Sequence, residues 1–213
     1  MSIPLVSTLS PRNRAAQTLL GPLTLTRGRV HEFCGPARVT LAAFLLRETT
    51  GAVIWAHPGW QAERLFPDGL LRHADPGRII FASARRPEDL LWTVEEALRS
   101  GAAPLVVAEL TAPPALTPVR RLLLAAEAGA EAAAHAGRGA PLGLLLTPGA
   151  GGAVGVESRW QLTGCHDGAV RRWRLARLRA RALPPKDWLL HETQGTLRLD
   201  RSELDEPAEP TSA

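Results

Sequence analysis

Two kinds of apolar pattern alternate along the chain. Short continuous apolar runs, "AVIWA" at 52–56, "RIIFAS" at 78–83, "PLVVAEL" at 104–110 and "PLGLLLTP" at 141–148, predict strands buried on both faces. Between them, apolar residues fall three or four apart. "VTLAAFLLRETTG" predicts a helix closed by Gly51. "RPEDLLWTVEEALRSG" predicts another, with Pro87, Glu88 and Asp89 in its first turn, Arg99 in its last, and a stop at Gly101. "LTPVRRLLLAAEAG" opens a third, with Thr117 as N-cap and Pro118 at the first helical position. Arg29 to Cys34 alternates polar with apolar and reads as a strand. "PRNRAAQTLLG" reads as a short helix ending at Gly21. Strands alternating with helices imply an α/β fold with a mostly parallel sheet flanked by helices.

The pattern changes after Gly149. "GAGGAVG" is a glycine segment expected to be flexible, followed by "SRWQLTGC", "RRWRLARLRARAL" and "DWLLHETQGTLRL". These read as a C-terminal antiparallel β extension. Trp173, Leu175 and Leu178 would also form a helical stripe, so the arginine-rich piece admits both readings, with strand preferred. The organisation expected is an N-terminal segment over 1–27, an α/β core over 28–148, a glycine loop and β-rich extension over 149–199, and a disordered acidic tail over 200–213.

Composition adds little to this picture. The 213 residues, 45% hydrophobic and 22% charged, suit one globular domain. No uncharged apolar run reaches the length of a membrane span, and the N-terminus lacks the basic start and apolar stretch of a secretory signal. A cytoplasmic, non-membrane protein is expected. The two cysteines, Cys34 and Cys165, are too far apart in sequence for a metal motif. The net charge of +4 hints at a nucleic-acid partner. Lys186 is the sole lysine and tyrosine is absent, a bias that fits a GC-rich genome and weakens the inference from arginine content.

The candidate chemistry begins at "GRVHEFCGPARVTLAAFLL", where a strand runs through Gly35 into a helix. A phosphate loop has the form G-x-x-x-x-G-K-[ST], with backbone amides and a lysine on the phosphates and a hydroxyl on magnesium. Where that motif puts five residues before the lysine, only Pro36 and Ala37 precede Arg38, so the loop is three residues short. Ala37 fills the second glycine slot and Val39 the hydroxyl slot, with Thr40 one position late. Arginine does not replace lysine freely, because its planar fork needs a wider site. Losing one donor in a comparable electrostatic site costs about 10²–10³ in rate. Losing loop, lysine and hydroxyl together predicts no nucleotide cofactor and no turnover.

This corner, "GRVHEFCGP" before an apolar helix, resembles the phosphate-loop region of RecA-type recombinases, as does the order of elements. The resemblance implies a RecA-like core. It puts His57 where that family has a catalytic glutamate, Glu109 at the position of the magnesium-holding aspartate, and Thr147-Pro148 where a switch glutamine ends a strand. Within that group, "SARRPEDLLWTVEEALRSGAAPLVVAEL", "LTPVRRLLLAAEAG" and "SRWQL…RRWRLARLRARALPPKDWLLHET" are similar to the ImuA family, over roughly Leu20 to Glu192. ImuA proteins are recombinase-like accessories of damage-induced mutagenesis. The resemblance therefore implies a non-catalytic accessory of error-prone translesion synthesis. Its partners would be an ImuB-like inactive Y-family polymerase, an error-prone replicative-type polymerase and RecA. The two DNA-gripping loops of recombinases would fall at "TAPPALTP" and "PGAGGAVGVES", both short and without an aromatic residue.

Other constellations are weaker. Arg171, Arg172, Arg174, Arg177, Arg179 and Arg181 form a basic strip with Trp160, Trp173 and Trp188 near in sequence. It reads either as a surface for DNA or an acidic partner, or as a solvated strand whose tryptophans pack inward. Glu109 would accept a hydrogen bond from Arg38 or face solvent. The six histidines have no metal spacing, and Cys165-His166-Asp167 are too close in sequence to converge as a triad. Trp60, Leu65, Phe66, Leu70 and Leu71 would form either a docking surface or a cover for the sheet. An ATP-binding recombinase paralogue, a cell-division inhibitor of the SulA type and a stand-alone DNA-binding module are the alternative functions.

Overall fold

Most continuous apolar runs lie within the sheet, where helices cover both faces, and the alternating C-terminal runs extend one flank. The structure, a computed structural model, describes residues 15–61, 64–168, 170–181 and 183–201. Six strands run parallel: β3 (Val30–Cys34), β4 (Val53–Pro58), β5 (Ile79–Ala84), β6 (Leu105–Glu109), β7 (Leu142–Thr147) and β8 (Ser158–Gly164). β9 (Arg171–Ala180), β10 (Lys186–Thr193) and β11 (Thr196–Arg201) continue from β8 as an antiparallel meander. All nine belong to one sheet, ordered β11-β10-β9-β8-β3-β7-β6-β4-β5. The C-terminal strands are thus a continuation of the core sheet, joined where β8 lies parallel to β3.

Helix α1 (Arg38–Arg47) covers one face. Its Leu41, Phe44 and Leu45 pack with Phe33, Trp55, Leu144, Trp160, Trp173 and Trp188. Helices α3 (Pro87–Ser100) and α4 (Leu116–His135) cover the other, where Leu90, Val94, Leu98, Val119 and Leu122 meet Val30, Val106 and Leu145. A one-turn helix, α2 (Pro67–Leu70), lies in the segment between β4 and β5. Among the described residues no helix is long and apolar enough to cross a membrane.

Several expectations give way. The segment read as a helix ending at Gly21 is, over its described part, a strand: β1 (Ala16–Leu20) pairs antiparallel with β2 (Leu23–Thr26). Leu23 and Leu25, two apart, are both fully buried, a period that only a strand satisfies here. The run at 78–83 is a strand, but an edge strand, so Ile80 and Phe81 are exposed instead of buried. Helix α4 begins at Leu116 with Ala115 as its cap, so Thr117 lies inside the first turn. Asp200 and Arg201, assigned to the disordered tail, pair in β11; the rest of that tail lies outside the described residues. The arginine-rich piece is the strand that was preferred.

Candidate functional site

The corner between β3 and α1 is built by close contact with β8. Gly35 has φ 91°, and a Cβ there would lie 2.7 Å from the Leu162 carbonyl oxygen and 2.9 Å from Gln161 Cγ. The Ala37 N–H donates to that same Leu162 oxygen at 3.2 Å. The Arg38 N–H donates to the Gly35 oxygen at 3.3 Å, and Arg38 Nη1 folds back onto it at 3.2 Å. Pro36 has no N–H. Two of the amides that would face a phosphate, those of Ala37 and Arg38, are therefore already donated within the fold, and a carbonyl of β8 faces the turn. Val39, in the hydroxyl slot, packs against the apolar core. Thr40 makes no hydrogen bond through its side chain among the described residues.

The strand ends beside this corner are likewise occupied. Glu109 does not meet Arg38. Its Oε1 accepts the indole N–H of the buried Trp55 at 2.5 Å. His57, at the end of β4, is buried, with Nδ1 3.3 Å from the Pro58 carbonyl oxygen and its ring edge-on to Phe81 at 6.0 Å. Cys34 is fully buried, and burial foremost, then the charge of Glu32, pushes its thiol up to about 12.

Sequence reasoning passed over Glu32, which proves to be the most heavily partnered acid in this region. It lies fully buried on β3. Its Oε1 accepts from Thr147 Oγ1 at 2.7 Å and from the Gly152 and Ala153 amides at 2.9 and 3.2 Å. Its Oε2 accepts from Arg159 Nε at 2.5 Å, and Arg159 Nη2 reaches the Ala153 carbonyl at 2.9 Å. Gly151, at φ 72°, passes so close that a Cβ would sit 2.7 Å from Glu32 Oε1. The glycine segment expected to be flexible is thus pinned over a buried carboxylate. Only its position, a lone acid inside an apolar strand followed much later by glycine-rich chain, could have signalled this.

No protein-family model matches the chain, and no curated protein matches it significantly.

The arginine strip does not act as one surface. Arg177 is buried, its guanidinium beside the rings of both Trp160 and Trp188 at 5.7 and 5.2 Å from their centroids and its Nε donating to the Pro184 carbonyl at 2.9 Å. A break in the β8–β9 register, Arg159 facing Arg179 but Trp160 facing Arg177, turns this side chain inward. Three others are paired: Arg171 with Glu192 at 3.5 Å, Arg172 with Asp167 at 3.8 Å, and Arg174 with Asp187. Arg179 and Arg181 are exposed and have no ion pair among the described residues. Trp160, Trp173 and Trp188 are core residues, so the stacking platforms are buried.

The docking-surface candidates divide. Leu70 is buried and Leu65 packs on the core, whereas Trp60, Phe66 and Leu71 are exposed. Phe66 stands at a cleft of about 770 Å³ between the first turn of α1, the α2 segment and the β8–β9 turn. Arg72, His73, His166 and Arg171 also line it. The Cys165-His166-Asp167 turn contributes His166 alone. Among the described residues no three His, Cys, Asp or Glu side chains converge as a metal site.

Proposed function

We propose that the chain is a non-catalytic, RecA-like accessory protein of damage-induced error-prone translesion synthesis. It works in the cytoplasm by contact with an ImuB-like inactive Y-family polymerase and with an error-prone replicative-type polymerase; RecA is a further partner. The observation that carries this reading is the corner at Gly35. A strand–turn–helix in the position of a phosphate loop is retained, yet the Ala37 and Arg38 amides are donated to Leu162 and Gly35, and a Cβ at Gly35 would strike the Leu162 carbonyl. With positioning and charge stabilisation gone, little remains for phosphoryl chemistry. What is left is a rigid three-layer body. Its exposed apolar groups, Ile80 and Phe81 on β5, Trp92 on α3 and Trp60 after β4, support contact with other proteins.

The test is co-purification of the tagged chain with its neighbours from damaged cells. Recovery of a polymerase-like subunit is expected. Recovery of the division GTPase instead would favour the SulA-type alternative, and magnesium-dependent ATP hydrolysis lost on Arg38→Ala would favour the recombinase paralogue.

A further inference from the structure

The cleft beside α1 differs from the corner at Gly35 in what it leaves free. Arg72 is exposed, has no ion pair among the described residues, and lies on the same cleft as Arg171. Arg171 shares its charge with Glu192 only across 3.5 Å. His166 Nδ1 accepts the Arg172 backbone N–H at 3.2 Å, so in the neutral ring the proton sits on Nε2 as a donor. Thr40 also lines the cleft, and His73, another lining residue, carries a buried Nδ1 with no hydrogen-bond partner. Asp68 is the one carboxylate on the lining. Phe66, 67% exposed, and Val170 complete the apolar part of the lining with Trp173. Two cations, neutral donors and an uncovered aromatic ring are the components that hold a nucleotide unit: charge for the phosphate, a ring face for the base.

We propose that this cleft binds a nucleotide unit, phosphate against Arg72 and Arg171 and base against Phe66, presented by a single strand of nucleic acid. The site is separate from the arginine strip, of which only Arg171 takes part. It is also independent of the docking reading, since a chain that fails to bind strand can still co-purify with a polymerase partner.

The experiment is fluorescence anisotropy of a labelled twelve-nucleotide oligo-dT with the full chain, competed by dTMP. Binding is expected, weakening with salt with a log–log slope of about −0.7 for one neutralised phosphate. Arg72→Glu should weaken it more than tenfold, and Phe66→Ala by about tenfold. Arg120→Glu, an exposed residue on α4 that makes the same change in net charge, should leave affinity within twofold. Binding of dTMP with the same dependence on Arg72, but no binding of the strand, would identify a free nucleotide as the source of the same chemistry. No binding of either ligand, or equal losses for Arg72→Glu and Arg120→Glu, would overturn the site.

Discussion

Two regions of the molecule meet at the start of α1: the corner that resembles a phosphate loop, and the cleft that gathers Arg72, Arg171 and His166. At Gly35 the nearest donors turn inward: Ala37 gives its amide to Leu162, and Arg38 gives its amide and Nη1 to Gly35. At the neighbouring cleft Arg72 has no partner among the described residues and His166 Nε2 carries a free proton. The difference is one of saturation, since a donor already satisfied inside the fold has nothing to gain from a ligand. The first region is therefore a structural joint and the second is the better candidate for recognition.

Substitutions can break or sharpen that contrast. The largest effect belongs to the joint's neighbour Glu32. Glu32→Ala leaves Arg159, Thr147 and two amides unpaired, and should cost about 3–5 kcal/mol in urea unfolding. Next is the pH dependence set by His31, behind the same strand. Its Nε2–H donates to the Thr26 carbonyl at 3.0 Å, so its bare Nδ1 accepts the Ser158 hydroxyl at 2.7 Å; Ser158 Oγ in turn accepts from Trp160 Nε1 at 3.0 Å. Burial foremost, opposed by the Thr26 hydrogen bond and aided by Arg29, lowers this ring from 6.5 to about 4. Below 6.5 the unfolded chain binds the proton that the folded chain refuses. Stability is therefore full above 6.5 and falls by about 3 kcal/mol as pH drops toward 4. His31→Gln should flatten that slope in a series of urea titrations between these pH values.

Gly35→Ala should cost roughly 2 kcal/mol, because a left-handed backbone and the Leu162 carbonyl both exclude a Cβ. A stability unchanged within error would show that the corner is slack, and with it that the amides could reopen for a phosphate. Arg72→Glu marks the opposite pole, with less than about 0.5 kcal/mol in stability expected at an exposed, unpaired residue, while strand binding drops. The smallest reading is chemical. At pH 8 only the exposed Cys165 should react with a thiol reagent, and Cys34 should join it only after denaturation.

Much of this architecture was written in the apolar spacing. The runs at "PLVVAEL" and "LGLLLT" read as buried strands and are, and the helix from Pro87 carried its own start and stop. Edges and ends were harder. Nothing in "RIIFAS" says that no strand will lie beyond it, and Leu23 and Leu25 declare a strand only once α1 and the sheet bury them. The candidate site was legible in part. The missing lysine and hydroxyl stand in the sequence, whereas the fate of Glu109 depended on Trp55, and the unity of the arginine strip failed on acids from β10 and the turn before β9.

The sequence by itself determined the element types and the shortness of the corner at Gly35, because periodicity and residue count are local properties. Tertiary structure alone decided which charges stay free. Glu32 finds Thr147 and Arg159 across 115 and 127 residues, and Arg177 finds its tryptophans through a break in register. Hydrogen-bond saturation is a property of neighbours in space, and those are chosen by the packing of the whole sheet.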